Sequence, residues 1–236
     1  MPSLTEWQRD RNSVSILLAT YNGERFIEQS IKSILNQTFV NFELLIGFNG
    51  TTDDSKNIVN KIKDARIKVF DYGEEKGKSK TLNKLIKESR FGWIAIQDDD
   101  DLWHPNKLEK QSSFFKDYDV IGSQILYIDE NDRTPTVHGY GPKLQTSDEL
   151  IKKLTLQGQN QIANSSSLCK KETIESVDGW DEEVEGIEDL DLWLKMIKNN
   201  YNFINLEEIL VSHRVYEQSS FNSKTWDVEG LLKKYN

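Results

Sequence analysis

The chain is poor in the residues that build several common kinds of site. One cysteine, Cys169, stands in 236 residues, so an intramolecular disulfide is excluded and a reducing, cytoplasmic setting is expected. Cys169 itself reads most simply as a small buried apolar residue. Three scattered histidines (His104, His138 and His213) beside a single thiol leave no four-ligand zinc pattern. No apolar run approaches the ~20 residues that span a bilayer. The polar stretch Met1–Asn12 lacks the apolar centre of a signal peptide. The spaced patterns Gly-x-x-x-x-Gly-Lys-Ser/Thr and Gly-x-Gly-x-x-Gly are both missing, so a nucleotide would not be held as kinases or dehydrogenases hold theirs. Basic charge is short as well. The net charge is −9, the isoelectric point is about 5.0 and the 30 Lys and Arg are dispersed, which argues against a nucleic-acid partner gripped through its phosphates.

What is present suffices for a folded domain. Apolar residues make up 36% and aromatics 10%, unlike a disordered chain. The length suits a single domain over residues 1–236, with halves at about 14–115 and 116–220 and a tail over 221–236. There is no internal repeat, low-complexity segment or linker.

Strand-like runs and helical periodicity alternate through the first hundred residues. Val14–Ala19, Phe42–Gly47, Ile67–Phe70 and Trp93–Gln97 read as strands. Between them, helices are expected over Glu24–Asn36, from a cap at Thr52 or Asp53 to about Lys63, and through Leu82, Leu85 and Ile86. This alternation predicts an α/β fold with a Rossmann-like, mostly parallel central sheet flanked by helices. The second half is less regular. Helices are expected over Pro105–Phe115, Ser147–Lys153, Lys171–Val177 and Glu188–Asn199, and strands over Val120–Ile128, Ser165–Leu168 and Ile209–Val215. A turn-rich mobile loop over Arg133–Gly141 and a short basic helix near the end complete the reading.

Four consecutive carboxylates, Asp98–Asp101, follow the fourth strand. Ligands of parallel sheets bind outside the carboxyl ends of the strands. There the acidic run should meet Thr20-Tyr21-Asn22 and the Phe48-Asn49 turn. A carboxylate held out of water costs several kcal/mol unless a cation compensates it. The run is therefore a candidate site for a hard divalent cation, Mg²⁺ or Mn²⁺, which needs only one or two carboxylates beside waters and substrate phosphates. The spaced acids and distal Glu of a calcium loop are absent. The plainer alternative is a solvated acidic loop capping a helix opened by Pro105. Glu188-Asp189 forms a second acidic pair, either ordinary dipole partners in a first helical turn or a base near a metal-bound diphosphate.

In order and spacing these pieces resemble the inverting glycosyltransferases of family 2, which have the GT-A fold. The matching pieces run from residue 14 to about 220: Val14-Ser15-Ile16 through Ala19-Thr20-Tyr21-Asn22-Gly23-Glu24; Ser33 to Thr38; Phe42-Glu43-Leu44; Gly50 to Ser55; Gly77 with Asn83; Asp98–Asp101 with Trp103, Pro105, Lys107 and Leu108; and Gly179-Trp180-Asp181-Glu182 leading to Glu188-Asp189. The resemblance implies metal-dependent transfer of a hexosyl or N-acetylhexosaminyl group from a nucleotide-sugar donor, UDP-linked foremost, to a glycan or lipid-linked hydroxyl in polysaccharide biosynthesis. Peripheral membrane contact and homo-oligomerisation are left open. By position, Thr20, Tyr21 and Asn22 border base and ribose, with Tyr21 stacking on the base and Glu24 nearby; Asn49, Lys80 and Asn83 join them around the nucleotide sugar. Asp98–Asp100 match the DXD element, with Asp100 as the most direct metal ligand, Asp98 as the second, Asp99 toward the ribose and Asp101 structural. The metal, Mn²⁺ or Mg²⁺, assists the departing diphosphate. Asp189 matches the general base of an in-line, inverting attack, with Glu188 as the fallback.

Three departures from that pattern stand out. Phe48-Asn49 replaces an acidic pair that reads the base; Asn49 can accept a hydrogen bond from uracil N3–H but can also donate. Leu82 occupies a commonly basic position, for which Lys78 or Lys80 can substitute. Tyr216 occupies the place of a late histidine that completes the metal site, and His213 is the candidate replacement ligand, against the plainer alternative of a histidine satisfied within the fold. The losses at Phe48, Asn49 and Tyr216 favour a degenerate domain that binds a sugar nucleotide or glycan without turnover, whereas the intact Asp98–Asp101 and Glu188-Asp189 oppose it. Sugar nucleotidyl transfer wants a Gly-rich basic loop where Thr20–Glu24 stands, and an Asp-nucleophile phosphatase wants its acids after the first strand. Trp103, Tyr140, Trp180 and Trp193 are open between packing and stacking on a sugar, with packing favoured for Trp193.

Overall fold

The computed structural model describes residues 12–74, 76–134, 140–217, 219 and 226–235. The described residues build one eight-stranded sheet in the order β3-β2-β1-β4-β7-β6-β8-β5. Its strands are β1 (Val14–Thr20), β2 (Phe42–Phe48), β3 (Ile67–Asp71), β4 (Trp93–Gln97), β5 (Leu102–Trp103), β6 (Val120–Ile128), β7 (Leu168–Lys170) and β8 (Phe203–Arg214). β1 is flanked in parallel by β2 and β4, β3 extends the parallel run, and β7 reverses direction before β6 and β8 pair in parallel again.

The central strands are mostly apolar and buried throughout because both of their faces are covered. Val14, Ile16 and Leu18 of β1 pack in one cluster with Ile27, Ile31 and Ile34 of α1 (Ile27–Leu35). The alternate residues Leu17 and Ala19 pack with Leu82, Leu85 and Ile86 of α3 (Lys78–Glu88) and with Leu192, Trp193 and Met196 of α7 (Glu188–Lys198). The strand's two-residue period thus sorts β1 between two helical layers. The other helices are α2 (Ser55–Lys61), α4 (Lys107–Ser112), α5 (Asp148–Thr155, capped by the Ser147 hydroxyl), α6 (Lys171–Ser176) and α8 (Val228–Lys233).

The layered α/β fold and mostly parallel sheet are as expected. Element boundaries differ where local chemistry intervenes. α1 begins at Ile27 because the amides of Phe26 and Ile27 both turn back to the Gly23 carbonyl. The strand expected over Ser165–Leu168 is instead a 3-10 turn (Asn164–Ser166), and β7 starts at Leu168. The last strand begins six residues before the expected Ile209, since exposed Glu207 and Glu208 interrupt its apolar pattern at a register shift against β6. β5, two residues long, was not anticipated. Residues 135–139 of the expected Arg133–Gly141 loop, including His138, lie outside the described residues, as do residues 1–11 and 220–225.

Candidate active site

The site lies at the carboxyl ends of β1, β2 and β4. β4 ends at Gln97, whose amide donates to the Asp101 carbonyl and to the Ser30 hydroxyl; that hydroxyl in turn donates to the Asp98 carbonyl. The Asp98–Asp101 turn is therefore anchored from inside, and its four carboxylates go to four different neighbours.

Asp98 accepts from Lys78 Nζ at 2.5 Å, from Asn164 Nδ2 at 3.0 Å and from Ser165 Oγ at 3.1 Å. Asp99 accepts from the Thr20 hydroxyl. Asp100 is met by the Tyr216 hydroxyl. Asp101 is fully buried; it accepts the Arg214 amide at 2.8 Å and pairs with His213 Nδ1 at 3.0 Å. Asp101 is thus a structural acid tying the turn to β8.

The four carboxylates crowd one another. Burial pushes Asp99 up to about 6, aided by the Asp98 and Asp101 charges and opposed by Thr20. Burial, then the charges of Asp101, Asp99 and Asp98, raises Asp100 well above the usual carboxylate range. Against burial, Asp101 holds the His213 imidazole charged, raising it to about 9. Nδ1 is the ring atom that meets Asp101. Among the described residues no three His, Cys, Asp or Glu gather closely enough to hold a metal alone. A crowded carboxylate such as Asp100 still suits a hard cation completed by phosphates and water, the usual Mg²⁺ arrangement.

The second acidic pair faces this turn across one lysine. Lys78, in the first turn of α3, reaches Asp98 and, at 3.2 Å, Glu188. Against burial, these two acids raise its ammonium well above its ordinary value. Glu188 and Asp189 open α7, where acids favour the helix dipole. Asp189 accepts from Asn160 Nδ2 at 2.8 Å. Burial and Glu188 push it up to about 6, against Lys78, the Leu190 amide and Asn160. A carboxylate poised near neutrality can take a proton from a hydroxyl.

The remaining expected residues divide into those at the turn and those that hold it. Tyr21 is 47% exposed beside Lys76 Nζ, 5.2 Å from its ring centre, which leaves it open to stacking. Asn49 is buried, and its Oδ1 has no hydrogen-bond partner among the described residues. Asn22, in a left-handed conformation, accepts the Thr52 amide at 2.8 Å, while Glu24 accepts the Asp54 amide at 2.8 Å; both brace the turn after β2. Asn83, expected beside the nucleotide sugar, engages both backbone polar groups of Trp180. It ties α3 to the segment between α6 and α7. Lys80 is half-buried in the first turn of α3, and Lys78 is the lysine that reaches the acids. Leu82 is core. Trp180, Trp193 and Trp103 are at most 4% exposed, so none offers a ring to a sugar.

Residues 15–172 match the sequence pattern of Glycosyl transferase family 2. The chain belongs to that family. Its relatives include an uncharacterized glycosyltransferase of Methanocaldococcus jannaschii, 30% identical, aligning 92% of this chain with 76% of the relative. The Escherichia coli UDP-Glc:alpha-D-GlcNAc-diphosphoundecaprenol beta-1,3-glucosyltransferase is also 30% identical, over 92% of this chain and 85% of that protein. Among solved structures, Staphylococcus aureus TarS (residues 1–349) in complex with UDP-GlcNAc superposes with a TM-score of 0.77 at 19% identity. That match covers 94% of this chain and 65% of TarS 1–349, so the chain spans about two thirds of it. A Pyrobaculum calidifontis mannosyltransferase with GDP-Man and Mn²⁺ aligns at a TM-score of 0.69, 15% identity, 92% of this chain and 65% of that one. The fold of this family 2 chain is therefore GT-A.

The structure puts Lys78 rather than the expected Lys80 on the acids and adds Asn160, Asn164 and Ser165 beside them. The only signal for these three was a polar stretch, Asn160-Gln161 and Asn164-Ser165-Ser166-Ser167, set between apolar segments. No helix in the described residues is long and apolar enough to cross a membrane.

Proposed function

We propose that this chain is an inverting glycosyltransferase that moves a hexosyl or N-acetylhexosaminyl group from a UDP-sugar to the hydroxyl of a glycan or lipid-linked acceptor. The observation that carries the reading is the meeting of two acidic segments, Asp98–Asp101 and Glu188-Asp189, across the single ammonium of Lys78. Family membership supports sugar transfer, and the UDP-sugar-dependent E. coli relative with its lipid-diphosphate acceptor supports the substrate class.

Asp100 and Asp98 would hold a divalent cation, Mn²⁺ or Mg²⁺, which when bound offsets the charge of the departing nucleoside diphosphate. Tyr21 stacks on the base, Asn49 offers its partnerless amide oxygen to the base edge, and Thr20 keeps Asp99 facing the ribose. Lys78 is within reach of both acids, where a diphosphate would find its ammonium. Asp189, oriented by Asn160, takes the acceptor's hydroxyl proton. The freed oxygen attacks the anomeric carbon from the side opposite the diphosphate. The bond from that carbon to the diphosphate oxygen breaks as the new bond forms, and the anomeric centre inverts.

A ligand bound only by the native state at a hundredfold excess over its Kd stabilises by about 2.7 kcal/mol, worth roughly 5–10 °C for a chain of this size. UDP with Mn²⁺ should raise the melting temperature by that order, and Asp100→Ala should remove the rise. A panel of nucleotide sugars assayed for nucleoside diphosphate release then separates turnover from binding alone. A thermal shift with UDP but no release from any donor would leave the non-catalytic reading. No shift with any nucleotide would sink both.

A further inference from the structure

The acidic pair that opens α7 sits outside the segment matching the family pattern, which ends at residue 172. α7 also lacks a side-chain N-cap: Ile187 occupies the capping position and can offer none. Besides the polar ties of Glu188 to Lys78 and of Asp189 to Asn160, its first turn is held by packing from residues 226–235.

Leu231 of α8 is buried in a cluster with Leu190 and Leu194 of α7, and Val184, Ile187, Val228, Leu232 and Tyr235 pack around them. The Tyr235 hydroxyl donates to Asp191 Oδ1 at 2.6 Å. The Trp226 indole lies against Gly186, two residues before Glu188, where any Cβ would overlap the ring. On the far side, Val228 and Leu232 rest on Gly158, whose φ of +81° also favours glycine. Two residues beyond Gly158, Asn160 donates to Asp189. The same short segment therefore presses on both supports of Asp189: the helix that carries it and the loop that orients it.

We propose that residues 226–235 are the positioning element of the acceptor-side base, holding Asp189 and Asn160 in register while leaving donor binding to the β1, β2 and β4 ends. The inference rests on the reading of Asp189 as the base. It explains why the C-terminal segment carries four apolar residues on a short polar stretch: Trp226, Val228, Leu231 and Leu232 are spent on this clamp.

The test uses the full chain with Leu231→Ala, Trp226→Ala and Tyr235→Phe, with Leu231→Met as the conservative partner. Val59→Ala, a core truncation in α2 on the opposite layer, controls for general destabilisation. UDP affinity in the presence of Mn²⁺ is titrated, and turnover is measured with the donor found in the panel above. Displacing a catalytic group by about 1 Å costs on the order of a hundredfold. Leu231→Ala and Trp226→Ala should therefore lower kcat by about tenfold or more while UDP affinity stays within about twofold. Tyr235→Phe should lower kcat by less, and Leu231→Met should restore it. The clamp is overturned if these variants lose no more kcat than Val59→Ala, or if UDP affinity falls in step with kcat. Asp189→Asn separates the two ideas. If Asp189→Asn still transfers, the base reading falls; if it is inactive while the clamp variants turn over normally, the clamp alone falls. Hydrogen exchange gives a readout without turnover: Leu231→Ala should speed exchange in both 158–162 and 187–191 but not in 93–101. Acceleration confined to 187–191 would overturn the two-sided clamp.

Discussion

At Asp189 a single proton decides whether the proposed base can act. Its carboxyl is raised to about 6 by burial and by Glu188, and the neutral form cannot accept a proton. The kcat/KM profile, which reports the free enzyme, should lose activity as pH falls through about 6. Asn160 favours the ionised form by donating to it. Asn160→Ala should therefore move the acidic limb to higher pH, by about half a unit to one unit; a limb that stays in place would remove Asn160 from the site. The Asp98–Asp101 run stands out in the sequence because consecutive carboxylates at a strand end need compensation, whereas Glu188-Asp189 stands out only through the family resemblance. The lysine was legible in principle as well. Lys78 precedes Leu82 by four residues and Leu85 by seven, which puts it on the sheet-facing side of α3, whereas Lys80 falls on another side. Asn160, Asn164 and Ser165 were not legible, since amides and hydroxyls carry no charge that forces a partner, and theirs are 29 to 67 positions away.

The strands covered on both faces were the plainest to read. β1, β2, β4 and β6 are near-continuous apolar runs and stand where expected. β5 is too short to show a pattern, and β8 carries two exposed glutamates in its middle. α4 hides a lysine within an otherwise ordinary amphipathic turn. Lys107 is fully buried, donates from Nζ to Gln111 Oε1 at 2.9 Å and lies 4.0 Å from the centre of the Trp103 ring on β5. Burial lowers its pKa to about 7 from an ordinary 10.5. Between those values the unfolded chain binds a proton that the native chain does not, so stability from this group rises with pH and is flat below about 7. The slope is at most about 1.4 kcal/mol per pH unit. Urea unfolding at pH 7.0 and 8.5 should show wild type gaining about 1–2 kcal/mol relative to Lys107→Met over that interval. Equal gains in both proteins would mean that Lys107 keeps its charge in the fold.

At the scale of the molecule, the question is how far the two halves of the chain behave as one body. The sheet runs unbroken through both, since β7 joins β4 of the first half to β6 of the second. Several polar ties cross beside it, among them Lys78 to Glu188, and Asn83 to Trp180 across 97 positions. Neither tie has a periodic signature in sequence, so the fold class was visible there while the join was not. Asn83 Nδ2 donates to the Trp180 carbonyl at 2.8 Å and Oδ1 accepts its amide at 3.0 Å, at a residue 2% exposed. Asn83→Ala strands both backbone groups. An unsatisfied buried donor or acceptor costs about 1–3 kcal/mol, so the pair should cost about 2–4 kcal/mol. If the halves unfold as one, that loss appears equally in tryptophan fluorescence and in far-ultraviolet circular dichroism, with coincident urea transitions for wild type and variant. A second transition in Asn83→Ala would mean that this tie couples two units able to unfold separately. On the proposed function, transfer should then fail in the variant at denaturant concentrations where UDP still binds, because the proposed donor residues stay with the first half and Asp189, the proposed base, leaves with the second.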